Sequence, residues 1–538
     1  MNQEEPKQEQ NKPKPITKNS TKKPHGNYLM WVVLAAVISF LVFLTFVVVR
    51  NVQPQTATQP SLQFQPVEQL TLGMISSGFN LYPQNSSIEN DIILNRQIFE
   101  GLVRFEDRTT VVPLLAESWS NPDTSTWVFK LKPNIAFHSG NILTADDVVY
   151  SVEQFKKYHG EDATYISTIE SVEATDPQTV TIKTTAPDPT LLSKLTLVYI
   201  IDSEYSGDNP ALAGTGPYLT DSIPTEETVR LTAFDNYHNG PVGGVQTLTI
   251  TAIPTEEEEL RSALEQHQFD YISTLSGLTN VGIDPNQYGY ETIVRESISV
   301  NYLGLNQAKD GPLQNESVRR AIYLGIDVDE LLDAYDKTGT PASQPVTVDI
   351  PGFNPLIERP AHNPEEAKEL LVEAGYADGL DLELTYFVTA RLAAENIKTQ
   401  LEELGINVTL DEHDSGQTIG PKVFASGEVD MFFSGYLPDI NDAVDTLSFM
   451  FVDSPNYSNQ SIADQINQSS TIFSNQRLEL LQSIADQLMK DVAVVPLYVS
   501  DVELLGYNDS DYVYEIDANG TAFEGIHYAE FYKKQATE

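Results

Sequence analysis

The sequence predicts a mixed α/β protein of two or three lobes, carried behind one membrane-spanning helix. Three observations carry that expectation. The chain has 538 residues, too many for one hydrophobic core. Helical and strand-like patterns alternate along it from residue 66 onward, which points to α/β layers. Residues 29–49, LMWVVLAAVISFLVFLTFVVV, form a 21-residue run without a charge.

That run comes first in chain order. At about 1.5 Å per residue it spans roughly 30 Å, the thickness of a bilayer's hydrocarbon core. Fifteen of its residues are Leu, Ile, Val or Phe, and at about −0.3 to −0.6 kcal/mol each they favour insertion by roughly 5 to 9 kcal/mol. The tail before it, residues 1–28, has six lysines against three glutamates, with Lys22 and Lys23 close to the membrane. The positive-inside tendency keeps such a tail in the cytoplasm and places the body outside. A cleaved signal peptide has a shorter apolar core and small residues before its cut site, whereas this run ends in VVVRNVQPQ. The expectation is therefore an uncleaved single-pass anchor in the cell membrane. Residues 50–66, RNVQPQTATQPSLQFQP, read as a flexible stalk.

Composition excludes several function classes. With 77 acidic and 32 basic residues the formal charge is −45, a surface that repels nucleic acid. There is no cysteine, hence no disulfide, zinc–thiolate site, cysteine nucleophile or lipid-modified N-terminal cysteine.

Within the body, VEQLTLGMI and WVFKLKP alternate like half-buried strands. Thr144 precedes Asp147 by three residues and the apolar run VVYSV follows, the spacing of a capping box; Thr255 and Glu258 repeat it before ELRSALEQH. Asn363 and Pro364 open a helix that Gly375 closes. RLAAENIKTQLEEL, residues 391–404, forms another that ends at Gly405, and the strand INVTL follows.

Motifs for chemistry are missing. There is no P-loop, no G-x-S-x-G elbow and no H-E-x-x-H. GTGPYL at 214–219 lacks the third glycine of a dinucleotide loop, and Pro217 stands where helical donors should begin. The eight histidines show no pair at metal-binding helical spacing. The segment GYLPDINDAVDTLSF, 435–449, concentrates acids at Asp439, Asp442 and Asp445. As a calcium loop counted from Asp439 it fails, with Ala443 at position 5, Val444 at 6 and Met450 at 12. No cofactor and no enzymatic activity are expected.

Several stretches together resemble the family 5 extracellular solute-binding proteins, the peptide-binding components of ABC importers. Residues 95–155 carry an "egL" turn, a "P-x-LAesW" segment, an "F-x-L" strand and an "F-x-x-G-x-x-x-TA-x-DV-x-yS" strand–turn–helix. GTGPYL follows. VNYLGLNQAKDGPLQNESVRRAIYLGID, AKELLVEAGYADG, LEELGIN and SGEVDMFFSGYLPDINDAVDTLSFMF come next in the family's order, so the likeness covers most of residues 66–535. The resemblance implies a two-lobed periplasmic-binding-protein-like fold of three domains: domain I from 67–84, 193–297 and 492–535, domain II from 85–192, and domain III from 298–491. It implies an extended peptide held in the cleft by backbone bonds, with roomy pockets for its side chains.

It also implies a site. In peptide-binding relatives an acid of the "W-x-x-D-Y-x-D-P" stretch receives the ligand's α-ammonium. Here Tyr436 takes the Trp place, Asp439 the first Asp and Asp442 the second; Ile440 and Ala443 depart from the pattern. Asp439 is the ammonium acceptor on this reading, and a helix cap or turn residue on the plainer one. Asp442 and Asp445 read as caps and solvated charges. Tyr436 offers an aromatic wall or packs into the core, Gly435 and Leu437 offer backbone groups, and Ser87, in the loop 85–89, lies where family members line the cleft. Arg391 is one candidate for the peptide carboxylate. The implied partners are a peptide and ABC permease subunits, with the protein a monomer. A nickel complex, an oligosaccharide or a signalling peptide is the alternative ligand.

Overall fold

The computed structural model divides the chain after Leu62. It describes residues 64–535, apart from 75–77, 86–88, 160–165, 273–282, 336–338, 508–511, 516–531 and positions 221, 224, 226, 243, 255 and 453. No helix among the described residues is long and apolar enough to cross a membrane. The expected anchor at 29–49, the tail before it and Ser87 lie outside the described residues. Phe64–Pro66, the end of the expected stalk, pairs antiparallel with Tyr532–Gln535.

The strands predicted by alternation form where expected. Thr126–Leu131 buries Trp127, Phe129 and Leu131 and turns Lys130 out. It sits inside a four-stranded antiparallel sheet with Ala116–Asp123, Thr179–Thr184 and Ile169–Asp176. Helix Ala145–His159 covers this sheet, lodging Val148, Val152 and Phe155 against Phe129, Val180 and Ile182. Its start has the return half of the predicted capping box: the Thr144 amide and hydroxyl both donate to Asp147 Oδ2, at 2.8 and 2.9 Å, while the Asp147 amide donates to the Thr144 carbonyl. Of the second expected box, Thr255 lies outside the described residues. The cap position there falls to Glu256, one residue later, which makes no side-chain cap bond to helix Glu257–Glu265. Three acids in the first turn, Glu257, Glu258 and Glu259, complement the helix dipole instead.

A mixed eleven-stranded sheet joins the rest. Its axis is a pair of long antiparallel strands, Tyr290–Leu305 and Val494–Tyr507. Flanking strands attach at opposite ends of that pair. Tyr271–Ile272 joins at Leu505 and Gly506, and brings with it Gln69–Met74, Thr247–Ala252 and Thr228–Ala233. Met431–Tyr436 joins at Val300 to Leu305, followed by Leu380–Phe387 and Ile406–His413. Between the two ends the ladder breaks register, from Glu296↔Asp501 to Val300↔Val499 and again after Asn301. A ladder interrupted this way bends and twists more easily than a continuous one.

The Leu380–Phe387 and Ile406–His413 strands are parallel, linked by helix Arg391–Glu402. That helix buries Ala393, Ala394, Ile397 and Leu401 in the sheet's core, and Gly405 at φ +89° turns the chain into the next strand. Helix Pro364–Glu373 is capped by Asn363 and ends before Gly375 at φ +92°, as predicted.

GTGPYL proves to be a clasp. A Cβ on Gly214 would lie 2.2 Å from the Ile98 carbonyl oxygen, and one on Gly216 2.7 Å from it, so only glycine lets the loop lie on that backbone. The Gly216 amide donates to Ile98 and the Tyr218 amide to Gln97. Beside it the buried Glu100 carboxyl accepts from the Thr215 and Tyr237 hydroxyls at 2.9 and 2.8 Å and meets His238 Nε2 at 2.8 Å.

Candidate ligand-binding site

The acidic segment begins where strand Met431–Tyr436 ends. The strand is registered on the central axis, Gly435 opposite Asn301 and Tyr436 opposite Val300. Gly435 is exposed, and a Cβ there would lie 3.0 Å from Asn301 Oδ1, a tight but yielding contact. Residues 437–441 then cross to helix Ala443–Phe451.

Three acids predicted as a group take three different roles. Asp442 caps the helix, its Oδ1 accepting from the Val444 amide at 2.9 Å. It is buried, and Arg477 grips it with Nη1 to Oδ2 at 2.8 Å and Nη2 to Oδ1 at 2.6 Å. The expectation of a cap holds for Asp442. That of a solvated charge does not hold for Asp445, whose Oδ2 accepts from the Asp439 amide at 2.8 Å and the Tyr436 hydroxyl at 2.9 Å. Burial first, and the charge of Asp439 second, push the Asp445 carboxyl up to about 7. Sequence spacing does not show the burial of Asp445, nor that the strand end and loop before its helix supply its donors.

Asp439 itself is half-buried, on the loop between strand and helix. The cap role belongs to Asp442, which leaves Asp439 as the loop acid. Tyr436 lies flat on Phe449, ring centroids 4.3 Å apart and planes 14° from parallel. One face of its ring is therefore spent on packing. Tyr436 and Leu437 both sit half-buried against the cluster that contains Ile440, Val444 and Leu447.

Leu197 packs against this same cluster. It follows helix Leu191–Leu195, whose Leu191 and Leu195 belong to the core of the four-stranded sheet. Two more contacts join those parts of the molecule. Trp127 meets Phe473 with ring centroids 6.1 Å apart, and Arg108 Nη1 lies 3.5 Å from Asp349 Oδ2. Asp349 holds a left-handed φ of +69°, a conformation that Asp tolerates better than most residues. Leu197 thus links the core of the four-stranded sheet to the cluster on which Tyr436 and Leu437 also pack.

Arg391 does not stand ready for a ligand carboxylate. Its Nε and Nη2 hold the two oxygens of Glu412, each at 2.6 Å. Arg319 and Arg359 are also committed. Arg319 donates to the carbonyls of Leu313, Gln314, Asp491 and Val492, which ties helix Glu316–Gly325 to the end of helix Asn475–Lys490. Arg359 donates to the carbonyls of Ala342 and Pro496.

Known proteins share this architecture. The chain is 27% identical over 344 residues to the heme-binding protein A of Haemophilus influenzae, covering 57% of this chain and 62% of that one. It is 26% identical over 397 residues to the dipeptide-binding protein of Escherichia coli, covering 66% and 73%. The crystal structure of the ABC-transporter substrate-binding protein CtaP of Listeria monocytogenes superposes with a TM-score of 0.76 at 20% identity, over 87% of this chain and all of that one. The family profile of bacterial extracellular solute-binding proteins, family 5, matches residues 110–458, which include the capping box, the clasp and the acidic segment. The chain belongs to the bacterial extracellular solute-binding proteins of family 5.

Proposed function

We propose that this protein captures peptides in a cleft between two lobes and delivers them to an ABC permease. The observation that carries the reading is Asp439: a half-buried acid, its backbone amide held by Asp445, on the loop between strand Met431–Tyr436 and helix Ala443–Phe451. An acid on a backbone held in that way suits a peptide's α-ammonium, because the loop that carries it is set before the ligand arrives. Gly435 supplies bare backbone beside it, and extended peptides bind through such groups without regard to sequence. Support also comes from the E. coli relative, which is named for dipeptide binding.

The lobes on this reading are domains I and II together, and domain III at 298–491. The interrupted ladder between Glu296 and Val300 supplies the hinge, and the Trp127–Phe473, Arg108–Asp349 and Leu197 contacts are those of the closed state. Residues 29–49 anchor the monomer with its N-terminus in the cytoplasm and its body outside. Ser87 lines the cleft on this reading.

A second reading keeps the fold and changes the ligand. Its support is the H. influenzae relative named for heme. A thermal-shift panel of short peptides, heme, a nickel–histidine complex and oligosaccharides separates the two. A ligand at about 100 times its dissociation constant adds about 2.7 kcal/mol of stability. Stabilisation by peptides alone supports the first reading, and stabilisation by heme or nickel alone supports the second.

A further inference from the structure

Strand Met431–Tyr436 is covered unequally on its two edges. One edge pairs with the central axis all the way to Tyr436, opposite Val300. The other pairs with strand Leu380–Phe387 at Met431 and Phe432 and no further among the described residues, while that neighbour stays with Ile406–His413 up to Phe387. Residues 433–436 thus run past their partner on that edge, and Gly435, which is exposed, lies in the stretch. An uncovered strand edge is a template for an extended peptide. Asn301 flanks the same glycine from the covered side. Its Nδ2 donates to the Ser500 hydroxyl on the other long strand of the axis, and its Oδ1 faces Gly435. That oxygen lies 3.0 Å from where a Gly435 Cβ would stand, and it accepts no hydrogen bond among the described residues. Ser299 Oγ lies 4.0 Å from the same point. Side chains directly opposite on neighbouring strands share one face of the sheet. Asn301, Gly435 and a ligand residue laid opposite Gly435 therefore form one lateral row. The missing Cβ in the middle lets the two outer side chains meet.

We propose that Asn301 is a specificity-determining residue: its amide oxygen, with the Ser299 hydroxyl beside it, selects a hydroxyl- or amide-bearing side chain at the ligand position that pairs with Gly435. This rests on the reading of the protein as a peptide receptor with Gly435 in its cleft. It does not depend on which acid receives the α-ammonium. A donor side chain at that position satisfies Asn301 Oδ1. An apolar one covers the oxygen without bonding it, and a carbonyl shut off from water without a donor is costly. The Ser500 bond holds the amide in the orientation that presents oxygen, rather than nitrogen, to the ligand.

The test uses the full chain in detergent. The probes are unblocked alanine tetrapeptides that carry Thr or Val at each position in turn, two side chains of nearly one shape that differ in a hydroxyl. Binding is measured calorimetrically. At one position wild type binds the Thr peptide about tenfold tighter than the Val peptide, and at the others nearly alike. Asn301→Ala abolishes the preference at that position and leaves the other positions as they were. Ser500→Ala shrinks it, because the amide is then free to turn. Gly435→Ala puts a methyl into the middle of the row and abolishes the preference by a separate route, which covers a failure of Asn301→Ala to fold. A wild type with no Thr preference at any position, or a preference that survives Asn301→Ala or Gly435→Ala, overturns the inference while leaving the peptide reading intact. If no peptide binds wild type, the peptide reading fails and the inference fails with it.

Discussion

Arg477 holds both oxygens of Asp442, 35 positions earlier in the chain, at 2.8 and 2.6 Å. Both side chains are nearly enclosed, at 12% and 9% exposed. The pair pins helix Asn475–Lys490 to the start of helix Ala443–Phe451. Replacing Arg477 with Met leaves a buried, uncompensated carboxylate. The expected cost is about 3 to 5 kcal/mol by chemical denaturation. Replacing both partners by apolar residues recovers most of it, because no charge is then stranded.

The Tyr436 hydroxyl tests the network without disturbing the packing. Tyr436→Phe keeps the ring on Phe449 and removes one donor from Asp445. Stability falls by about 1 kcal/mol. The Asp445 carboxyl, already raised, moves higher, since the phenol favours its ionised form. Comparing the pH dependence of thermal unfolding in this variant and in wild type reads both effects.

Asp445 also leaves a mark on stability without any ligand. Its folded value lies at about 7, above the ordinary carboxylate value of 3.8 from which it is raised. Between those values the folded form keeps a proton that the unfolded chain has released. Stability from this group is therefore full below the lower value and declines as pH rises to about 7, after which it is level. The difference in melting temperature between wild type and Asp445→Asn should change across that window and stay constant above it.

The clasp is a steric prediction. Gly214→Ala brings a methyl within 2.2 Å of the Ile98 oxygen. The loop must retreat from that backbone, loosening the hydrogen bonds from Gly216 and Tyr218. A loss of roughly 1 to 3 kcal/mol is expected in denaturant unfolding. Gly240 is the control: a methyl there would meet nothing within 4 Å, but its φ is +100°, so Gly240→Ala should respond through backbone strain alone.

Local structure was legible in the sequence where the cause is local. The Asn363 cap and the glycines at 375 and 405 act within a few residues and form as read, and the Thr144–Asp147 box forms in its return half. The spacing of Thr255 and Glu258 suits a box as well, yet the helix there starts one residue later, under three acids that complement its dipole. The site was legible only in part. The departure of Asp439 from the helix, and the cap at Asp442, follow from residues in sight of each other. The partners that settle the segment's electrostatics do not. Arg477 reaches Asp442 through tertiary packing, Glu412 reaches Arg391 across a parallel strand pair, and Asp445 is desolvated by its burial in the folded chain. No periodicity records such encounters.

The most direct test of the peptide reading is calorimetric binding of one short peptide, unblocked and N-acetylated, to wild type and to Asp439→Asn. Removing one charge of a buried ion pair costs about 2 to 5 kcal/mol, so the unblocked peptide should bind at least roughly 30-fold more weakly to the variant. The acetylated peptide should bind both proteins nearly alike. Equal losses for the two peptides, or no loss for either, would contradict the assignment of Asp439 to the amino terminus.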